Sequence, residues 1–178
     1  MAKKIPVLDL GRLAEGSPPG VTPAMGQFAA EAASVVLEHN RHKRGVVMEV
    51  AASRRHRYRV AWPALHDDAV RTHNDLPSAA EQGAYGVAFL LAEELTDFRV
   101  IERSRKGTGF DYWLGVGGEH PFQQAARLEV SGIVDNADQL EARVKAKMKQ
   151  TDRSAGKLPA FVAVIEFGQP KSVFKRRR

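Results

Sequence analysis

Apolar residues recur at helical spacing in two long stretches of the chain. Met25, Phe28, Ala29, Ala32, Val35 and Val36 form one stripe, opened by Thr22 and Pro23 and ending near Asn40. A capping hydroxyl followed by proline at the first helical position is a helix start. A second stripe runs from Ser78 to about Leu95 through Ala84, Val87, Ala88, Leu91 and Ala92. Pro77 reads as the break before it, and Glu81, three residues after Ser78, fits a capping box. Between these helices GVVMEVAA and HRYRVAWP flank a basic turn at Ser53 to Arg55, with Tyr58, Val60 and Trp62 alternating against Arg57, Arg59 and Ala61. That pattern predicts a β-hairpin closed by Pro63, with room for a short helix afterwards.

Further on, strands are expected at about 98–103, 110–114 and 126–131. A helix follows at about 137–150 with Leu140, Val144 and Met148 inward, and then a strand at 160–167. The last of these is almost wholly apolar, which predicts a central position in a sheet covered on both faces. The first twenty residues lack periodicity and end in EGSPPG, so they read as a leader lying on the surface or disordered. The expected organisation is an α/β chain: leader, helix and hairpin over 1–77, a helix, three strands, helix and strand over 78–170, and a basic tail at 171–178.

Composition narrows the setting. The chain has 178 residues and no cysteine, which excludes disulfides and thiolate metal sites and fits a reducing cytoplasm. No stretch approaches the roughly 20 apolar residues that span a bilayer, and no apolar run follows Lys3 and Lys4, so neither membrane anchor nor secretory signal is expected. Of the net charge of +6, five units come from Lys171, Lys175, Arg176, Arg177 and Arg178, leaving the body one charge from neutral. A second basic cluster runs through Arg41, Lys43 and Arg44 and then Arg54, Arg55, Arg57 and Arg59. It reads as either a solvated face or a phosphate-tracking patch.

Candidate chemistry concentrates between Lys106 and Ile133, where KGTGFDYWLG and ARLEVSGI each place one carboxylate among apolar strand residues. Burying an unpaired carboxylate is costly, so Asp111 and Glu129 must be exposed, paired or holding a cation. Alternation puts Glu129 on one strand face with Arg127 and Ser131, and Leu128 and Val130 on the other. If Asp111 aligns with Glu129, the two can share Mg²⁺, which takes one or two carboxylates plus water and phosphate oxygens.

With that element order, the basic glycine-rich RSRKGTGFD run and the ExS triplet in LEVSG, residues 78–168 resemble the PD-(D/E)XK nuclease superfamily of restriction enzymes and junction resolvases. The resemblance implies a restriction-endonuclease-like core with Asp111 and Glu129 as ligands of Mg²⁺ or Mn²⁺ and Glu81 as the acidic residue of the first core helix. Ser131 stands where the family has lysine. Some members supply the amine from the next helix, where Arg143, Lys145, Lys147 and Lys149 are candidates. Lys147, at the margin of the buried stripe, is preferred.

The function so implied is a metal-dependent DNA phosphodiesterase of restriction, repair or bacterial defence type. The alternative is a catalytically inactive module that binds DNA or a partner protein, as a subunit or a homodimer; a structural scaffold is a third. Arg105, Lys106, Lys175, Arg176 and Arg177 are the expected nucleic-acid contacts. Plainer roles remain open: ion pairs for Asp111 and Glu129, a helix cap for Glu81, and a tight turn for Gly107 and Gly109. His66, Asp67, Asp68, His73 and Asp75 lack metal-ligand spacing, and Trp62 and Trp113 fit core positions better than base stacking.

Overall fold

The structure, a computed structural model, describes residues 4–154, 156 and 158–177. In chain order its elements are β1 (Val7–Asp9), α1 (Pro23–His39), β2 (Val47–Ala51), β3 (Arg55–Ala61), α2 (Asp67–Thr72) and α3 (Leu76–Leu95). They continue with β4 (Phe98–Arg103), β5 (Tyr112–Val116), β6 (Ala126–Ile133), α4 (Leu140–Gln150), β7 (Ala160–Glu166) and β8 (Lys171–Arg176). All the strands join one mixed sheet in the order β1-β3-β2-β8-β7-β6-β5-β4, so the fold is α/β.

Local chemistry accounts for the helix starts. The Thr22 hydroxyl accepts the Met25 N–H at 3.2 Å, with Pro23 at the first helical position. The α3 helix begins two residues earlier than its pattern suggests. Asp75 caps it by accepting the Ser78 N–H at 3.4 Å, and Pro77 sits inside the first turn, where its missing N–H costs nothing. Pro77 is therefore part of the helix start rather than a break, and Ser78 is not the cap.

The helices cover the sheet unequally. On one face α1 and α3 pack together over Met48, Tyr58, Val60, Leu114, Leu128 and Val130. On the other, α4 brings Val144, with Leu140 and Met148, against Ile133, Val162, Val164 and Val173. Every residue of β6 and β7 is buried, and β7 lies inside the sheet as its apolar sequence predicts. The α3 helix lies directly on β6 at Gly132, where a Cβ would stand 2.0 Å from the Ala80 carbonyl oxygen. That contact fixes the height of α3 over the strand carrying Glu129.

Two sequence expectations are corrected at the ends of the chain. Within the supposed leader, β1 pairs in parallel with β3, and Leu8, Leu10 and Leu13 are buried. Three leucines anchor a segment whose glycines and prolines obscure any period. The basic tail is likewise a strand as far as Arg176: β8 runs antiparallel to β7 and parallel to β2, with Ser172, Val173 and Phe174 buried. Its terminal lysine and arginines hid a short apolar run; Arg178 lies outside the described residues. Strands from all three expected segments thus share one sheet.

Burying Val173 and Phe174 contributes about 3–6 kcal/mol, comparable to the net stability of a whole domain. Removing residues 171–178 is expected to abolish the cooperative thermal transition in circular dichroism, whereas Lys175→Gln with Arg176→Gln leaves it in place. A cooperative melt in the shortened chain would show that β8 is dispensable.

Candidate metal-binding and catalytic site

Pairing between β5 and β6 covers only Tyr112 to Leu114 against Ala126 to Leu128. Beyond it the outer edge of β6 needs another partner, because a buried strand N–H must be satisfied. Asp111 supplies one. Its backbone continues the ladder, its N–H donating to Leu128 O at 2.9 Å and its carbonyl accepting from Ser104 N at 2.8 Å. Its side-chain Oδ2 then accepts the Val130 N–H at 2.8 Å, while Oδ1 accepts a long 3.4 Å bond from the Tyr85 hydroxyl. Asp111 therefore lies just before β5 rather than within it, and its carboxylate is turned toward β6.

Glu129 adjoins Val130 on β6, close enough for the charge of Asp111 to act on it. The side chain is 1% exposed and lies on the α4 face of the sheet, as alternation with Arg127 and Ser131 predicts. Its Oε1 accepts from Lys147 Nζ at 2.6 Å, and Lys147 also donates to Gln150 Oε1 at 3.3 Å. Glu129 Oε2 is buried with no hydrogen-bond partner among the described residues. Burial foremost, then the nearby charge of Asp111, push the Glu129 carboxyl up from its ordinary 4.5 to about 7, against the opposing pull of Lys147. One turn earlier on α4, Arg143 Nη1 donates to Ser131 Oγ at 3.0 Å. Two α4 cations thus stand over consecutive same-face positions of β6.

The α3 side of Asp111 is aromatic. Tyr85 and Tyr112 meet edge-on with centroids 5.3 Å apart, and burial raises both phenols. The Arg103 guanidinium stands 5.3 Å from each ring centroid and donates to the Tyr112 hydroxyl at 3.0 Å. Arg103 opens the RSRKGTGFD run, and Tyr85 lies one turn beyond Glu81, so both could have been found by extending those two signals. Arg105 and Lys106 are exposed in the following loop. Gly107 and Gly109 have positive φ there, and a Cβ at Gly109 would lie 2.7 Å from Gln150 O. The loop therefore rests against the end of α4, beside Lys147 and its partner Gln150.

The remaining candidates separate. Glu81 is exposed and lines a groove of 490 Å³ with Gly132, Asp135 and Arg143. No hydrogen bond or ion pair joins it to Asp111 or Glu129 among the described residues, nor does it complete a capping box, since Asp75 holds that position. Lys175 and Arg176 are exposed at the end of β8, whereas Arg177 pairs with Asp152. Of the His66–Asp75 acidic and histidine set, Asp68 pairs with Arg71, Asp75 caps α3, and His73 is buried 3.8 Å from Glu31. Trp62 is in the core and donates to Glu38 at 2.9 Å.

Among the described residues no group of three or more histidine, cysteine or acidic side chains is placed to hold a metal, so the candidate centre is the Asp111–Glu129 pair. No described helix is long and apolar enough to cross a membrane. Comparison of the chain with protein-family models, curated proteins and solved structures found no match.

The raised Glu129 carboxyl makes the folded state bind more protons than the unfolded one between about pH 4.5 and 7. Its contribution to stability is therefore most favourable in acid and is lost as pH rises through about 7. In EDTA, Glu129→Gln is expected to melt like wild type near pH 4.5 and to be the more stable protein at pH 8, by at most about 3 kcal/mol. Parallel melting curves across that range would remove the burial argument.

Proposed function

We propose that the protein is a metal-dependent DNA phosphodiesterase in which α3, β4, β5, β6, α4 and β7 form a core resembling that of the PD-(D/E)XK nucleases. The observation that carries this reading is Asp111 held on the Val130 N–H, next to the buried Glu129, with Lys147 on one Glu129 oxygen and the other oxygen buried without a partner among the described residues. The residues fit a divalent cation. Asp111 Oδ2 and Glu129 Oε1 are already committed, so Asp111 Oδ1 and Glu129 Oε2 are the atoms left to hold Mg²⁺ or Mn²⁺. When bound, such a cation supplies Lewis-acid stabilisation of the charge on a phosphodiester under in-line attack.

The chain's own groups do the rest. Lys147 is 21% exposed on its side chain, so its ammonium can reach from Glu129 toward an attacking water or a phosphate oxygen, the part the family lysine plays at the Ser131 position. Arg143 brings a second positive charge to Ser131 itself. On the other side of Asp111, Tyr85 is the α3 residue that touches the carboxylate, a turn away from Glu81. Arg105 and Lys106, on the loop packed against α4, are placed to take the flanking phosphates.

A non-catalytic DNA-binding module is the second reading. It is favoured by the uncharged Ser131 and by the engagement of Lys147 with Glu129.

Plasmid cleavage in Mg²⁺ and in Mn²⁺ separates the two. Wild type is expected to nick or linearise DNA, and Asp111→Asn, Glu129→Gln and Lys147→Met each to lose about 10²-fold or more. Glu81→Gln is expected to retain most of the activity. Metal-independent cleavage, or cleavage undiminished in the Asp111 and Glu129 variants, would overturn the catalytic assignment. No cleavage together with salt-sensitive DNA binding would leave the module.

A further inference from the structure

The sheet face that carries Glu129 does not end at α4. The registers run Glu129–Val162–Lys175 from β6 to β8, and Arg57–Glu49–Lys171 from β3 to β8. Paired positions share a face, so the side chains of Arg55, Arg57 and Arg59 emerge on the same face as Glu129, Lys171 and Lys175. The α4 helix covers β6, β7 and Val173 of β8, and no described helix packs on this face of β2 and β3. An open groove of 540 Å³ lies there between Arg55, Arg57 and Lys171 on the strands and Leu140 and Glu141 at the start of α4.

The three arginines are exposed and spaced two residues apart, about 6.8 Å along the strand. Their partners within the protein are few. Among the described residues none of the three is in an ion pair or a side-chain hydrogen bond, although Glu49 sits directly across from Arg57 and is itself exposed. Alternation alone requires polar residues at these positions, but not three guanidinium groups in succession. An arginine row with no carboxylate engaged to it is complementary to a repeating anion.

We propose that this uncovered face of β3, β2 and β8 binds the phosphate backbone of duplex DNA, as a surface separate from the cleavage site. The distance between them is about four strand spacings, or roughly 19 Å across the sheet. Single strands are held on platforms that combine basic side chains with exposed aromatic rings. Here Tyr58 and Phe174, the aromatic residues of β3 and β8, are both turned into the core, which favours a duplex read through its phosphates. The choice of DNA among polyanions rests on the nuclease-like reading; the basic face itself does not.

The test is fluorescence anisotropy of a labelled DNA duplex with the full chain in EDTA, over a range of NaCl concentrations, so that cleavage plays no part. Replacing Arg55, Arg57 and Arg59 together by Gln is expected to weaken binding tenfold or more and to flatten the dependence of log affinity on log salt by about 2.7 units. The Glu49→Gln variant removes a negative charge from the same face and is expected to bind more tightly than wild type, which a merely destabilised protein would not do. Thermal melts check that both variants are folded. Unchanged affinity and salt slope in the folded triple variant would overturn the proposal, as would tighter binding to an RNA duplex or to phosphatidylserine vesicles. Failure of wild type to cleave in Mg²⁺ would bear on the catalytic reading and leave these slopes unaffected.

Discussion

A carboxylate cannot be sealed inside a sheet without something to answer its charge, and Glu129 is sealed more completely than any ordinary surface acid. The α4 helix answers with Lys147 on one oxygen, and just before β5 a second acid, Asp111, adds its negative charge nearby. Removing Lys147 would leave the carboxylate as an uncompensated buried charge, which costs far more than the pair itself contributes. The placement of α4, the early end of β5–β6 pairing and the flush seating of α3 at Gly132 all bear on this one side chain. A core designed only for stability would place valine there.

Most of the secondary structure was legible because the two signals that reveal it are strong here. The α1 helix behind Thr22 and Pro23 and the alternating Tyr58, Val60 and Trp62 emerge in the structure as read, although Phe28, placed in the α1 stripe, is exposed. What was not legible has a common physical cause. Both β1 and β8 are short strands held by their neighbours, β1 by the remote β3 and β8 by the adjacent β7 and the remote β2, so neither has to carry a periodic pattern of its own. Pro77 misled in a different way, because the same residue serves as a stop between elements and as a start within a first turn.

The candidate site was legible in part. Strand alternation placed Glu129 and Ser131 on one face, and the helical margin singled out Lys147, which does reach Glu129. The contacts of Asp111 with Val130 and Tyr85 were out of reach, since they follow from where the β5–β6 ladder stops and from how α3 sits on Gly132. Glu81 was drawn toward the pair by its position on α3. The turn of that helix instead presents Tyr85 to Asp111 and leaves Glu81 at the groove beside Arg143.

The sheet order also has a meaning in time. The β1-β3-β2 group touches the rest of the sheet through β8, since Glu49 to Ala51 pair with Lys171 to Val173. During synthesis the hairpin leaves the ribosome long before that partner exists, with the flank of β2 unpaired. The two halves of the sheet can be joined only when residues 171–176 arrive. That strand, with Lys171, Lys175 and Arg176, is thus the keystone of assembly, and its positive charges would keep it soluble until it is inserted.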